Sequence, residues 1–391
     1  MVSTPSGGGS GAIDRGRAIM EWFARSTGLE GDAAPRRYLW TDAFAVCNYL
    51  GLGEATGNAR YLELAQRLVD QVHHVLGHHR PDDPRTGWIS GLPEDEGARR
   101  PTAGGLRIGK PEPERSPGEA REPRREWDRD GQYYHYLTRW MHALLRTFDV
   151  TGRESLVRAA VELAQTAHDA FVHRERSERR MYWKMSVDLS RPLVPSMGAH
   201  DPLDGLLTLG ALRAAAPAAA RELDGPIAEL GEMCRGRRWA TDDPLGIGGL
   251  LTDAYRAARL AATGAPVDGA AGLATGELSG LLIGESLVGL RAFLGTHPLA
   301  APPAHRLPFR ELGLAIGLAA VERLLRPGAA GRRAEGARWA EPLEAYVPLK
   351  DRIAAFWVDP EPRRARTWTE HLDINQVMLA TALAPDGYLG P

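Results

Sequence analysis

The sequence has little of several features that would point to particular classes of protein. It has two cysteines among 391 residues, Cys47 and Cys234, which lie far apart in apolar segments. This spacing excludes a disulfide framework and a thiolate zinc site and predicts buried free thiols. Only three lysines are present, so arginine supplies nearly all of the positive charge. The formal net charge of −2 gives no field that would attract a polyanion, so we expect no nucleic-acid partner.

Long apolar runs and a leader pattern are also missing. No uninterrupted apolar run reaches the ~18 residues that can span a membrane, and the Ser/Gly/Pro-rich start over 1–11 has no basic segment followed by an apolar one. We therefore expect a cytoplasmic protein without a membrane partner. The 43% hydrophobic and 25% charged content is that of a globular protein, and we expect a single domain over 1–391.

What the sequence does contain is a succession of amphipathic stretches with apolar residues every three or four positions. They predict helices over 12–27, 39–55, 58–77, 129–149, 153–173, 201–215, 222–236, 245–263, 277–294, 309–326, 336–358 and 370–384. Thr-Gly pairs at 56–57, 151–152 and 263–264 end three of these helices in the same way, as in a repeated helical hairpin. The repeat predicts an all-α fold, an (α/α)6 toroid of about twelve helices, with an open solenoid as the alternative.

Six clusters of aromatic and acidic residues stand where every second helix begins. They lie at 38–42, 127–135, 198–204, 242–244, 308–311 and 368–373. In a toroid these helices would form the inner ring and run parallel, so all six starts would meet at one mouth. The positive ends of the helix dipoles favour carboxylates and bound anionic groups there.

Two segments interrupt the alternation of helices. The segment 78–127 is too long for a hairpin turn and is rich in proline, glycine and charge, whereas 181–195 alternates well enough to form a strand or hairpin. Because both precede inner helices, we expect both to overhang the mouth as small β-hairpin or loop insertions.

The clusters predict a polar pocket lined by aromatic rings, which suits a sugar. Cleavage of a glycosidic bond needs one carboxyl that stays protonated and a second that activates water or attacks the sugar. We assign these tasks to Asp42 and to Asp128 or Asp130. The expected substrate-binding residues are Trp40, Trp88, Tyr133, Tyr134, His135, Lys184, Arg191, His200, Asp201, Asp204, Glu370, His371 and Asp373. The one His-x-x-x-His pair, His74 with His78, has no glutamate between its members, so we expect no metal and no cofactor.

The run Tyr38-Leu39-Trp40-Thr41-Asp42-Ala43-Phe44, followed by Thr56-Gly57, carries a resemblance to a known family. It is similar to the Trp-x-Asp-x-x-Phe…Thr-Gly run of unsaturated glucuronyl and rhamnogalacturonyl hydrolases, so the chain resembles the six-hairpin glycosidase superfamily. In those hydrolases the aspartate of this motif is the general acid/base. The resemblance implies the same role for Asp42.

The sequence thus favours a carbohydrate-active enzyme, a glycoside hydrolase that acts on a small oligosaccharide or glycoside by carboxylate acid/base catalysis. One alternative is a sugar epimerase or isomerase, because the N-acylglucosamine epimerases share the toroid and use two histidines, and His135, His200 and His371 are available. Another is a toroid that binds without catalysing. Two carboxyls ~5 to 10 Å apart would indicate the hydrolase, and two facing imidazoles would indicate the epimerase.

Overall fold

The structure is a computed structural model that describes residues 8–176, 178–263, 267, 271–326 and 337–390. Twelve helices of ten residues or more lie within these ranges. In chain order they are α1 (Gly8–Ser26), α2 (Leu39–Thr56), α3 (Ala59–Leu76), α4 (Tyr134–Thr151), α5 (Glu154–Phe171), α6 (Asp201–Ala215), α7 (Asp224–Cys234), α8 (Pro244–Thr263), α9 (Thr275–Gly295), α10 (Pro308–Leu325), α11 (Leu349–Val358) and α12 (Leu372–Leu383).

Six of these helices form a closed ring. Helix α2 packs on α4, α4 on α6, α6 on α8, α8 on α10 and α10 on α12, and α12 packs on α2 again. The other six lie outside the ring, each mainly against one inner helix: α3 on α2, α5 on α4, α7 on α6, α9 on α8, α11 on α10 and α1 on α12. The fold is therefore an all-α toroid of six helical hairpins. This confirms the predicted toroid and rules out the open solenoid.

The distribution of apolar residues explains which helices lie inside. In α2 every residue from Leu39 to Leu52 is buried, so no side of its first three turns faces solvent. Outer helices bury one stripe, as expected for a surface helix. In α3 this stripe consists of Tyr61, Leu64, Ala65, Leu68, Val69, Val72 and Leu76.

The Thr-Gly pairs end helices as predicted. Gly57 follows α2 with φ 67°, and Gly152 follows α4 with φ 66°. Both are left-handed conformations that glycine adopts without a steric penalty. Before each glycine, the threonine hydroxyl donates to a carbonyl one turn back, from Thr56 to Leu52 at 2.6 Å and from Thr151 to Thr147 at 2.7 Å. The third pair was predicted at Thr263-Gly264, and Gly264 lies outside the described residues.

Helix α4 begins at Tyr134 rather than at the predicted residue 129, because the residues before it form a strand. Strand β1 (Gln132–Tyr133) pairs antiparallel with β4 (Lys184–Met185), which pairs with β5 (Pro192–Val194). A separate hairpin, β2 (Val172–Glu175) with β3 (Glu178–Met181), follows α5. The segment 78–127 contains the short helix Glu94–Arg99 and the 3-10 turn Arg125–Trp127.

The predicted helix over 336–358 is divided into three. A turn at Ala337–Ala340 and a 3-10 segment at Glu341–Tyr346 precede α11, and residue 336 lies outside the described residues. Pro348 caps α11 at its start, and proline within a continuous helix would remove a backbone hydrogen bond, which accounts for the break.

Within the described ranges, one helix is long and apolar enough to cross a membrane by length and composition alone. This helix is α9, with a mean hydropathy of 1.4. It packs along α8 as an outer helix of the ring, and Glu277 and Glu285 interrupt its apolar sequence.

Candidate active site

The starts of the six inner helices meet around one rim. Each start, or the segment just before it, contacts the next one around the ring, and the circuit closes. The linking pairs are Tyr38 with Tyr136, His135 with Asp201, His200 with Trp239, Asp243 with Arg310, Phe309 with His371, and Asp373 with Arg36. The six clusters therefore surround a common opening, as the alternation of helices predicted.

Below this rim is a cavity of about 550 Å³. Every inner helix contributes at least one residue to its wall. Its lining includes Trp40, Phe44, His135, Arg139, Trp183, His200, Asp201, Asp204, Arg238, Trp239, Asp243, Gly248, Thr252, Asp253, Gly313, Ile316, Met378 and Tyr388. This volume is in the range of pockets that hold small ligands.

A buried charge network lies in the wall of the cavity. Asp204 on α6 accepts hydrogen bonds from Arg139 on α4 at 2.7 Å, from Arg256 on α8 at 3.2 Å and from the Thr138 hydroxyl at 2.5 Å. Burial alone would raise the pKa of Asp204, but the two guanidinium groups outweigh burial and lower it. Asp204 is therefore an ionised group fixed by positive charge from two neighbouring helices.

The pKa values of two other carboxyls in the cavity are raised rather than lowered. Burial, followed by the negative charge of Asp204, raises the pKa of Asp201 to about 7 and that of Asp253 to about 7. Oδ2 of Asp201 has no hydrogen-bond partner among the described residues. Near neutral pH, Asp201 is thus a half-protonated acid whose second oxygen is not engaged by the protein.

Two imidazoles lie in the same cavity. His135 is in the first turn of α4, and burial lowers its pKa to about 4. Its Nδ1 lies 3.8 Å from Oδ1 of Asp201. His200 precedes α6, and burial lowers its pKa as well. Both rings are neutral at pH 7, and each has one nitrogen that can accept a proton.

The tautomer of His200 follows from its neighbour. Nε2 of His200 lies 3.0 Å from the carbonyl oxygen of Trp239, which can only accept, so Nε2 carries the hydrogen and Nδ1 carries the lone pair. That carbonyl is held in place because Glu285 on α9 accepts the N–H groups of Trp239 at 2.7 Å and Ala240 at 2.8 Å.

Aromatic rings form another part of the wall. Trp40 packs on Phe44 with ring centroids 4.7 Å apart, and Phe44 stacks on Tyr388 at 4.5 Å. On the other side, Trp183 lies nearly parallel to the ring of His135, at 6.2 Å and 15°. Trp183 comes from the predicted insertion 181–195, just before β4, so this insertion reaches the cavity.

The three aspartates assigned to catalysis lie elsewhere. Asp42 is buried beside Arg37 at 3.4 Å, and its Oδ2 accepts the N–H of Tyr38 at 2.8 Å. Asp128 is exposed. Asp130 is fully buried, 2.6 Å from Arg107, and also accepts the N–H of Gly109 at 3.0 Å. None of the three is part of the cavity lining given above.

Of the predicted substrate-binding residues, the structure brings Trp40, His135, His200, Asp201 and Asp204 together in the cavity. Tyr133 lies behind the wall, 5.2 Å from Trp183 between ring centroids, and Tyr134 packs on Phe171 in the core. Lys184 is buried and donates to the carbonyls of Glu126 and Arg129.

The other predicted binding residues are outside the cavity. Trp88 packs on His78 and donates to Glu94 at 3.1 Å within the long insertion, and Arg191 donates to the Arg115 carbonyl. Glu370 pairs with Arg366 on the surface, and Asp373 lies 3.2 Å from Arg36. His371 is exposed and contacts Phe309 at the rim.

Sequence reasoning missed Arg139, Asp253, Arg256 and Tyr388. Arg139 is one helical turn after His135, so both residues face the same side of α4. Asp253 and Arg256 are charged residues in the middle of α8, an inner helix. Charges at helical spacing inside an otherwise apolar inner helix were the signal that would have identified these three residues. No comparable pattern marks Tyr388.

In the described ranges, no group of three or more histidine, cysteine, aspartate and glutamate side chains is arranged to hold a metal ion. Cys47 and Cys234 are buried free thiols, as predicted.

No protein-family model and no curated protein matches this chain. The solved structures with a similar fold include two sugar epimerases. One is a sugar epimerase from a ruminal bacterium, with 9% identity and a TM-score of 0.47 over 85% of this chain and 87% of that one. The other is cellobiose 2-epimerase from Bacillus thermoamylovorans B4167, with 10% identity and a TM-score of 0.45 over 86% of each chain. Both TM-scores are below 0.5.

Proposed function

We propose that this chain is a carbohydrate-active enzyme, and that it epimerises or isomerises a sugar by moving a proton at carbon. The observation that supports this most directly is the presence of two neutral imidazoles, His135 and His200, in one cavity with a carboxyl, Asp201, whose pKa is raised to about 7. The rings of Trp40 and Trp183 offer apolar faces for a sugar, and Asp204 with Arg139 offers charged hydrogen-bonding groups for hydroxyls.

The two histidines would act on opposite faces of one carbon. Neutral His200 takes the proton from the carbon next to the carbonyl group of the open-chain sugar, through its Nδ1 lone pair, and an enediolate forms with its negative charge on the former carbonyl oxygen. His135 returns a proton to the other face of that carbon. The carbonyl group is then restored with the configuration inverted.

Asp201 would supply the proton that His135 delivers. Its carboxyl is still half protonated at about pH 7 and lies 3.8 Å from Nδ1 of His135, a distance that must shorten when the sugar binds. The imidazole accepts this proton at Nδ1 and gives its Nε2 proton to the carbon. At the end His200 carries the proton from the sugar and Asp201 is ionised, and exchange with solvent resets both groups.

The assignment is tested by screening aldoses, ketoses and disaccharides for new isomers by chromatography, with His135→Asn and His200→Asn. Loss of one acid/base group should lower kcat by about 10²- to 10⁴-fold. His305→Asn is the matched control, because His305 is an exposed histidine outside the cavity. Full turnover by either cavity variant on a converted sugar would exclude the proposed roles.

A glycoside hydrolase is the second candidate, because the cavity contains one carboxyl with a raised pKa, Asp201, and one with a lowered pKa, Asp204. Hydrolysis also needs such a pair. The same screen separates the two reactions, since a hydrolase releases new reducing ends from disaccharides whereas an epimerase leaves the glycosidic bond intact.

A further inference from the structure

The outer helix α9 has a solvent-exposed side that is apolar in its central part. Its buried side packs on α8. On the opposite side, Leu281, Gly284 and Val288 are exposed, Leu281 by 38% and Val288 by 53%. Because these residues follow one another at intervals of three and four, they lie on one face of the helix and form a single stripe. We call them the α9 stripe.

Gly284, at the centre of the α9 stripe, is not required by packing within the chain. A Cβ built on Gly284 meets nothing within 4 Å. The other glycines in this part of the helix have a neighbour that excludes a side chain, since a Cβ on Gly280 would lie 2.7 Å from the ring of Trp339 and one on Gly289 would clash with the carbonyl of Thr241. Glycine in the middle of a helix is less favourable than alanine, but it allows another backbone to approach closely.

Opposite charges lie at the two ends of the α9 stripe. Glu277 is seven residues before Gly284 and Arg291 is seven residues after it, and both are exposed. One oxygen of Glu277 accepts the N–H of Ala274 at 3.1 Å, and neither charged side chain forms an ion pair with another described residue. The stripe between them, roughly 21 Å long, has no charged side chain.

We propose that α9 is the interface of a homodimer, in which two copies of the helix cross antiparallel on a two-fold axis at Gly284. In this arrangement, a residue before Gly284 lies opposite the residue that follows Gly284 by the same number of positions in the other copy. Glu277 therefore meets Arg291 of the partner subunit, and Arg291 meets the partner's Glu277. One patch is thus complementary to itself, as a two-fold contact requires.

A second copy of the chain fits this face better than a lipid bilayer does. Helix α9 is apolar and long enough to cross a membrane by composition, but its other side packs on α8. Helices that lie on a membrane surface carry mainly lysine and arginine beside their apolar face. The α9 stripe instead ends in one acid and one base at equal distances from its centre.

The strength of the dimer follows from the size of the contact. A helix of 21 residues is about 31 Å long, so two crossed helices form a small interface. Small interfaces are typical of weak complexes, and we expect a dissociation constant in the micromolar range. Self-association is measured without turnover, so this proposal does not depend on the reaction proposed above.

The first test is sedimentation velocity of the full chain over about 1 to 100 µM. We expect dimers to replace monomers as the concentration rises. Arg291→Glu places two acids opposite each other at both ends of the contact and should weaken the dimer by about tenfold. Glu277→Arg should have the same effect, and the double variant Glu277→Arg/Arg291→Glu should restore dimerisation. Arg158→Glu, at an exposed arginine of α5, is the matched control and should dimerise as the unmodified chain does.

The second test locates the axis by cross-linking. Cys47 and Cys234 are buried, so a cysteine introduced on the α9 stripe is the accessible thiol. We expect copper phenanthroline in air to join two copies of Gly284→Cys through a disulfide, because the two positions meet on the axis. Gly295→Cys, at an exposed position on the same helix, should not cross-link, because antiparallel copies hold the two positions about 33 Å apart.

Four results would overturn the proposal. They are a chain that stays monomeric at about 100 µM, a dimer that Arg291→Glu leaves unchanged, a double variant that remains monomeric, and cross-linking of Gly295→Cys as readily as of Gly284→Cys. Vesicles of phosphatidylcholine and phosphatidylserine provide the comparison with a membrane. Binding of the monomer to these vesicles, lost in Val288→Glu, would assign the α9 stripe to a lipid surface instead.

Discussion

Asp42 and Asp201 both lie in the first turn of an inner helix, yet only Asp201 faces the cavity. Burial raises the pKa of both carboxyls, to about 6 for Asp42 and about 7 for Asp201. In α2 the cavity is lined by Trp40, and a residue two positions later is rotated by about 200° around the helix, away from it. Asp42 therefore turns towards Arg37 and Tyr38 and fixes the start of the helix.

The pH dependence of turnover should reflect the pKa values of Asp201 and of the two histidines in the cavity. In the proposed mechanism Asp201 must be protonated, so kcat/KM falls as pH rises through about 7. The histidines must be neutral, and burial lowers the pKa of both, so the acid limb lies below their usual value of 6.5. A bell-shaped profile of kcat/KM on a converted sugar checks this.

Asp204→Asn tests the origin of these pKa values. The charge of Asp204 raises the pKa of Asp201 and of both histidines, so its removal should move both limbs of the profile to lower pH. Asp351→Asn, at an exposed aspartate on α11, should leave the profile unchanged. If Asp204→Asn leaves both limbs in place, the acid and base groups are not those proposed.

At the scale of the helices, the residues that line the cavity follow the spacing of one helical turn. Along α2, α4 and α6 the cavity-lining residues are three or four positions apart, as in Trp40 with Phe44, His135 with Arg139 and Asp201 with Asp204. Once an inner helix is recognised and one residue is known to face inward, its other inward residues follow from the sequence. Which residue of the first turn faces inward does not follow, because it depends on how the ring closes.

The Thr-Gly turn between inner and outer helices gives a matched pair of substitutions. A side chain at Gly57 meets nothing within 4 Å, but its φ of 67° is left-handed, so Gly57→Ala should lower the free energy of unfolding by about 1 to 2 kcal/mol. Gly53 is one turn earlier in α2, where a Cβ makes only ordinary contacts of 3.8 Å or more. Gly53→Ala should therefore raise the free energy of unfolding by about 0.5 to 1 kcal/mol.

Urea unfolding monitored by circular dichroism measures both changes. Equal effects of the two substitutions, or destabilisation by Gly53→Ala alone, would contradict the assignment of Gly57 as the residue that ends the helix.

At the scale of the whole molecule, closure of the ring brings together residues that are distant in sequence. Asn48 on α2 donates to the carbonyl of Val377 at 3.1 Å and accepts the hydroxyl of Thr381 at 2.9 Å, both on α12. The number of helices, their alternation and the repeated turns were visible in the sequence, so the toroid and its common mouth could be predicted. The side chains that meet across the cavity come from different helices, and the distances between them cannot be predicted from the sequence.

The charge interactions between side chains of different helices could not be predicted from the sequence either. The ionised state of Asp204 depends on Arg139 and Arg256 from two other helices, and the raised pKa of Asp201 depends on Asp204. The carboxyls chosen from the sequence, Asp128 and Asp130, precede α4 and belong to the loop before β1. Only the folded ring places Asp201, Asp204, His135 and His200 in one cavity.

The most direct test of the central claim follows the proton at carbon. The chain is incubated in D₂O with a sugar that it converts, and the carbon next to the carbonyl group is examined by NMR. We predict that deuterium enters at that carbon as the epimer or isomer forms, with any glycosidic bond intact, and that His200→Gln abolishes the exchange. Conversion without deuterium at that carbon, or cleavage of a glycosidic bond in its place, would contradict proton transfer between the two histidines.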